Sequence, residues 1–141
     1  MKKMRSTAVL TLLAALSFTA CQKEVVAPAT TINDERVAGI YKVTALTIQP
    51  TTGAEKDLFA TLDDCQKQST HTLSAGHSYQ LIDVCDPSNN QNGAWALHDN
   101  QKITINGVTG DLVSFDGNKL VISFDDFMGL PGKMTETLTR Q

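Results

Sequence analysis

Apolar residues follow two different patterns along the chain, and the change between them falls near residue 37. The first twenty residues contain one apolar run, Ala8–Phe18, which is too short to span a bilayer as a permanent helix. From Val37 onward, short segments rich in β-branched and aromatic residues alternate with Gly, Asn, Asp and Pro at close intervals. The second pattern is typical of an all-β domain.

Eight segments of this second pattern are predicted strands: Val37–Ile48, Ser69–Ser74, His77–Val84, Gly93–Leu97, Lys102–Ile105, Asp111–Phe115, Lys119–Phe124 and Lys133–Arg140. Turn signals separate several of them, at Ala75-Gly76, Gly107–Gly110 and Asp116-Gly117-Asn118. Short connections favour pairing between sequence neighbours, and a meander of eight strands can remove its edges by closing. We therefore predict an eight-stranded antiparallel up-and-down β-barrel.

The first predicted strand changes the parity of its apolar positions. Tyr41, Val43 and Ala45 share one face, and Leu46 and Ile48 then continue on the other parity. This switch predicts a β-bulge or a sharp bend within the strand.

The segment after this strand, Thr51–Gln68, lacks alternation and is predicted to be a long loop. Within it, Asp57–Leu62 combines an Asp N-cap with apolar residues at helical spacing, which predicts a short helical turn. We expect Leu58, Phe59 and Leu62 to cover the open end of the barrel.

The N-terminal segment has the features of a bacterial lipoprotein signal peptide. Lys2, Lys3 and Arg5 precede the apolar run, and Cys21 directly follows small residues, with Phe18 where such a cleavage box usually has Leu. We predict removal of residues 1–20, lipidation of Cys21, and anchoring of the mature protein by several acyl chains of the palmitate class. The alternative is plain secretion with a free thiol at Cys21.

The predicted mature chain is acidic. Removing residues 1–20 takes three of the twelve Lys and Arg residues and none of the fifteen Asp and Glu, which leaves nine basic against fifteen acidic residues, a net charge of −6. Without a Lys/Arg cluster, such a chain has no electrostatic footprint for nucleic acid. Residues 21–36 are predicted to be the lipidated N-terminus and a flexible tether, and residues 37–141 a single domain.

Two cysteines, Cys65 and Cys85, remain after Cys21 is assigned to lipid. An even number in an oxidising compartment predicts a disulfide between them. One alternative is that the two cysteines are buried and unpaired. The other is a metal site, which is disfavoured because neither cysteine has a second Cys or His at ligand spacing.

No pattern of catalytic residues stands out. His71, His77 and His98 are not at metal-ligand spacing, and the chain has neither a Gly-x-Ser-x-Gly elbow nor a phosphate-binding loop. The carboxylate pairs, such as Asp63-Asp64 and Asp125-Asp126, lack the spacing of a calcium loop. We expect a non-enzymatic protein without metal or cofactor.

Several short motifs in order resemble the lipocalin-like domain of small Gram-negative bacterial lipoproteins. They are Gly39-Ile40-Tyr41, Asp64-Cys65-Gln66-Lys67, Ala75-Gly76 before a Tyr strand, Cys85-Asp86-Pro87, and Gly93-Ala94-Trp95-Ala96-Leu97 before an Ile-x-Ile strand. The resemblance covers residues 37–140, with Tyr41 where the family commonly has Trp. It implies a small lipocalin-type barrel whose cysteine bridge ties the helical loop to the end of the third predicted strand, and it implies no particular ligand.

Two functions are compatible with this sequence. The first is a lipoprotein of the outer membrane, periplasmic or surface-exposed, that binds a small hydrophobic ligand in the barrel; the second is an interaction module with a filled barrel that contacts an unknown protein or a glycan through its loops. A barrel of eight strands is at the size where either arrangement is possible. The candidate lining consists of Tyr41, Val43, His71, Leu73, Tyr79, Leu81, Trp95, Leu97, Ile103 and Ile105.

The predicted connection before the last strand contains three large apolar residues, Phe127, Met128 and Leu130. We expect this connection to fold over the barrel mouth as a lid. The alternative is an exposed contact patch.

Overall fold

The computed structural model describes residues 31–99 and 101–141, and these residues are almost entirely β-structure. The strands are β1 (Gly39–Pro50), β2 (Lys56–Asp57), β3 (Thr70–Leu73), β4 (Ser78–Ile82), β5 (Gln91–His98), β6 (Lys102–Ile105), β7 (Val108–Phe115), β8 (Lys119–Asp125) and β9 (Gly132–Arg140). The helical elements are α1 (Asp34–Val37) and the 3₁₀ turns η1 (Phe59–Thr61), η2 (Gln66–Gln68), η3 (Pro87–Asn89) and η4 (Phe127–Gly129). The predicted signal peptide, Cys21 and the first part of the predicted tether lie outside the described residues.

All nine strands of the described chain belong to one antiparallel sheet that closes in a ring. From β3 to β9 each strand pairs with the next, and β1 pairs with both β3 and β9. The predicted all-β meander is confirmed, but the count of eight strands is wrong. The additional strand is β2, which pairs with Thr47 and Ile48 of β1, and its two residues are too few to produce an alternating pattern.

The predicted bulge in the first strand is confirmed. The register between β1 and β9 shifts between Val43 and Ala45, which leaves Thr44 as the extra residue. Because of this shift, Val43 and Leu46 both pack against the buried core although their positions differ in parity.

Two predicted turns are corrected. The β3–β4 turn has four residues, 74–77, and not the two predicted, and the residue with a positive φ, of 63°, is His77. Gly107–Gly110 is not a turn, because Asn106 and Gly107 alone make the tight connection, with φ of 49° and 82°, and β7 begins at Val108. Asn-Gly with two positive φ angles is the usual two-residue hairpin connection, whose mirror-image turn suits the twist of the strands.

The predicted helical turn and the predicted disulfide are both present. Asp57 accepts a hydrogen bond from the backbone N–H of Ala60 at 3.1 Å, and η1 follows as a single 3₁₀ turn. Cys65 and Cys85 form a disulfide with a Cα–Cα distance of 5.1 Å. It joins the connection before β3 to the connection after β4.

The ring has two ends, because antiparallel connections alternate between them. The α1 end carries α1 and the turns at 74–77 and 116–118, and the loop end carries the connections 51–69, 83–90, 106–107 and 126–131. The largest fully buried side chains, Trp95 and Tyr41, are at the α1 end. There, Trp95 donates its indole N–H to the carbonyl of Ser74 at 2.8 Å.

Arg140 fastens the α1 end. Its guanidinium donates to the carbonyls of Arg36 and Ala38 and to the hydroxyl of Tyr41. The Tyr41 hydroxyl in turn donates to the carbonyl of Val37. These bonds connect the last strand to the first helix and stabilise the packed end of the ring.

Gly110 supplies a stability test, because it lies on the inner face of β7. A Cβ there would come within 2.7 Å of the Phe124 ring and 2.8 Å of the Ile122 side chain. We expect Gly110→Ala to lower the free energy of unfolding by about 1–3 kcal/mol in urea titrations, the usual cost of overpacking a core. The matched control is Gly76→Ala, since the nearest atom to its new Cβ is 3.8 Å away. Equal effects of the two substitutions would contradict the inward position of Gly110.

Candidate functional site

A cavity of about 270 Å³ lies inside the ring, towards the loop end. Each of the eight strands that close the ring contributes to its wall, and Phe127 of η4 covers it. The lining residues are Leu46, His71, Tyr79, Gln91, Ile105, Asn106, Val108, Phe124, Phe127, Met134, Glu136 and Leu138. The wall is therefore mainly apolar and carries a few polar groups, which is the usual composition of a small-molecule site.

His71 and Tyr79 form one polar pair in this wall. They lie on the paired strands β3 and β4, and the Nδ1 atom of His71 is 3.1 Å from the Tyr79 hydroxyl. Burial lowers the pKa of His71 to about 4, so its imidazole is neutral at pH 7. Burial, with the charge of Glu136 as a second cause, raises the pKa of Tyr79 to about 12.

Gln91 and Asn106 form a second polar pair. The amide of Asn106 donates to the Oε1 atom of Gln91 at 2.8 Å. Asn106 is held in place by the tight β6–β7 turn, in which it adopts a left-handed conformation. Each of these side chains thus has a hydrogen bond within the cavity wall.

Glu136 is the exceptional polar group of the cavity. It lies on the inner face of β9 between Met134 and Leu138, and its carboxyl has no hydrogen-bond or ion-pair partner among the described residues. Burial raises its pKa to about 7, because the ionised form is desolvated without compensation. The cavity therefore holds an acid that titrates near neutral pH.

The connection around η4 divides its apolar side chains between the cavity and the solvent. The ring of Phe127 packs 5.3 Å from that of Phe124, whereas Met128 is 87% exposed and Leu130 is 50% exposed. Phe127 alone has the position expected of a lid. Met128 and Leu130 have the exposure expected of a contact patch.

The ten candidate lining residues occupy three environments. Those that line the cavity are His71, Tyr79 and Ile105. Those that are buried in the packed core are Tyr41, Leu73, Trp95 and Ile103. Those that pack, partly buried, against the core are Val43, Leu81 and Leu97.

Sequence reasoning missed Glu136, although the signal was present. In the last predicted strand, Glu136 shares its parity with Met134 and Leu138, which places it on the buried face. An acidic residue on an inward face is unusual enough to mark a functional candidate.

A second cavity, of about 460 Å³, lies against the first described residues, 31–34, and is lined also by Leu97, His98, Asp99, Gln101 and Leu112. It is larger but is not enclosed by the ring. We place the candidate site in the ring cavity because all eight ring strands contribute to its wall.

Comparisons with protein-family models, curated proteins and solved structures found no match to this chain. Within residues 31–99 and 101–141, no three His, Cys, Asp or Glu side chains gather as ligands for a metal ion. In the same part of the chain, no helix has the length and apolar character needed to cross a membrane.

The raised pKa of Glu136 predicts a pH-dependent stability. The folded protein binds the Glu136 proton more tightly than the unfolded chain, whose reference pKa is 4.5, so this group's contribution to stability is lost as pH rises through about 7. The lowered pKa of His71 acts in the opposite direction between about pH 4 and 6.5 and masks the effect in the wild type.

We therefore expect the free energy of unfolding of Glu136→Gln, relative to the wild type, to increase by about 1–3 kcal/mol between pH 5 and 7.5. Urea unfolding monitored by Trp95 fluorescence measures it. Glu55→Gln, at an exposed position, is the control and should stay parallel to the wild type. A Glu136→Gln curve parallel to the wild type would show that Glu136 titrates normally in the folded protein.

Proposed function

We propose that this protein is a lipocalin-like lipoprotein of the outer membrane that holds a small hydrophobic molecule inside a β-barrel. The single observation that carries the proposal is the ring cavity, which is lined by all eight strands that close the ring and is mainly apolar. Burial of apolar ligand surface against such a wall would drive binding. No step of this function requires a catalytic group.

The size of the cavity limits the ligand. At about 30 Å³ per water molecule in the liquid, 270 Å³ corresponds to roughly nine waters. A molecule of about ten non-hydrogen atoms therefore fits without rearrangement, such as one small aromatic ring with a short substituent. Larger ligands would need Phe127 to move out of the cavity.

The N-terminal sequence supports an anchored carrier. Lipid at Cys21 would hold the protein at the membrane, and the tether would join it to α1. Because the chain enters the ring at the α1 end, the cavity and the η4 connection lie towards the opposite end. Ligand exchange at the loop end would then not require displacement of α1.

Native mass spectrometry of the full chain purified from its own cell envelope tests the carrier function. We expect an additional discrete mass that disappears on denaturation, because a cavity walled by eight strands buries the apolar surface of its ligand. Ile105→Trp should remove this mass, since the larger side chain occupies the cavity.

Ile40→Trp is the matched control, because Ile40 lies outside the cavity lining and is 51% exposed. It should retain the additional mass. If the native mass of the wild type equals that of the lipidated polypeptide alone, the result would count against a carrier function.

A second function, contact with an envelope protein or a glycan, is favoured by the exposed apolar residues of the loop end. To Met128 and Leu130, the end of β4 and the connection after it add Ile82 and Val84, each more than 40% exposed. Exposed apolar residues that cluster in one region commonly mark a contact surface. The packed core at the α1 end would then serve only as a scaffold.

The double variant Met128→Asn, Leu130→Ser tests this second function. Asn tolerates the left-handed conformation of residue 128, where φ is 53°, so the loop should keep its shape. If the module function is correct, cross-linking in intact envelopes should lose the partner seen with the wild type. Val113→Ser, at a residue that is 58% exposed on β7, is the control and should keep the partner. Unchanged cross-linking of the double variant would exclude this surface as the contact.

A further inference from the structure

We propose that the ring cavity selects a small apolar molecule that carries one basic amine, and that the Glu136 carboxylate binds the ammonium group. This inference rests on the proposed carrier function and specifies its ligand class. It starts from the distribution of hydrogen bonds in the cavity wall.

Glu136 is the polar side chain of the wall that lacks a partner within the described residues. His71 is bonded to Tyr79, and Asn106 to Gln91. A ligand that enters the cavity therefore meets two polar pairs whose members are bonded to each other and one carboxyl that is bonded to neither pair. The unsatisfied acceptor determines which polar group of a ligand is stabilised.

The charge of the wall excludes an acidic ligand. The lining contains no Lys or Arg, and the neutral imidazole of His71 does not compensate a negative charge. A ligand carboxylate would have to be buried beside Glu136 without a cation, which is costly. An ammonium group has the opposite effect, because it pairs with the charge that is already buried there.

The remaining wall fits the rest of such a molecule. The Tyr79 hydroxyl lies in the same wall, and its oxygen can accept a second ammonium hydrogen. Phe124, Phe127 and Met134 provide an apolar and partly aromatic surface for the hydrocarbon part. The net charge of −6 predicted for the mature chain attracts a cation and repels an anion at longer range.

The assignment makes the binding depend on pH with a defined sign. The titratable groups in the wall around Glu136 are His71 and Tyr79, which both stay neutral between pH 5 and 9. An ammonium ligand binds the ionised form of Glu136, so below about pH 7 it must displace a proton. The affinity should then fall by up to about tenfold for each pH unit below 7 and stay constant from pH 7 to 9.

Calorimetric titration with three probes of similar shape tests the proposal: 2-phenylethylamine, its neutral isostere 2-phenylethanol, and the anion phenylacetate. The protein is the full chain with Cys21→Ser, which lacks the predicted lipid acceptor. We expect 2-phenylethylamine to bind at least tenfold more tightly than the other two at pH 8. Its advantage should shrink at pH 5.

Glu136→Gln should reduce the affinity for 2-phenylethylamine at least tenfold and remove its pH dependence, while the affinity for 2-phenylethanol stays within about threefold. Glu55→Gln is the control and should match the parent. If Glu136→Gln fails to fold, the pH profile of the parent with the three probes decides alone.

Equal or tighter binding of 2-phenylethanol or phenylacetate would overturn the amine assignment and leave the carrier function standing. So would an affinity for 2-phenylethylamine that does not fall below pH 7. Failure of all three probes to bind at millimolar concentration would overturn the amine assignment and the carrier function together.

Discussion

The pairing of β1 with β9 is the interaction on which the rest of the structure depends. It runs from Tyr41 opposite Arg140 to Pro50 opposite Gly132 and joins the two ends of a meander that otherwise consists of local hairpins. Two local adjustments permit it: Thr44 bulges out of β1, and Gly132, with φ of 131°, leaves room for the carbonyl oxygen of Gln49, which a Cβ would approach to 2.3 Å. Closure removes the open edges of β1 and β9 along this seam and separates an inside from an outside.

The inner face of β9 carries one charged side chain towards each end of the ring, and the two differ in their hydrogen bonding. The Nη2 group of Arg140 donates to the carbonyls of Arg36 and Ala38 and to the hydroxyl of Tyr41, whereas its buried Nε has no hydrogen-bond partner among the described residues. Glu136 lies two residues before Leu138 on the same face of β9, and its carboxyl accepts no hydrogen bond from the described residues. The charged group at the packed end thus has several hydrogen-bond partners, and the carboxyl in the cavity wall has none among the described residues. An inward-facing charge is therefore hydrogen-bonded to β1 and to α1 at the α1 end, whereas the effect of the inward-facing carboxyl on stability towards the loop end depends on its protonation state.

Features set by local chemistry could be predicted from the sequence, and features set by packing across the ring could not. Alternation located all eight strands of the ring, the parity switch after Ala45 located the bulge, and the even pair Cys65 and Cys85 indicated the disulfide. Gly110 was misread as a turn residue. A glycine is needed there because the Phe124 ring of the next strand leaves no room for a Cβ, and no local sequence pattern reveals this contact. The cavity escaped prediction for the same reason. Whether His71 and Tyr79 line a space or fill it depends on the volumes of side chains from eight strands.

Glu136 has opposite expected effects on the stability of the empty protein and on the binding of a cation. For folding alone, an apolar residue would serve better, because Met134 and Leu138 already surround the site with hydrocarbon and burial opposes ionisation of a carboxyl there. The destabilisation by Glu136 is greatest above pH 7, where its carboxyl is ionised. The ionised carboxyl is also the form that would bind a cation most tightly. The same desolvation therefore weakens the empty ring and strengthens the complex, since attraction between unlike charges increases as water is excluded. A purely structural ring gains nothing from such a residue, whereas a carrier for a cationic molecule gains the charge pair that retains its ligand.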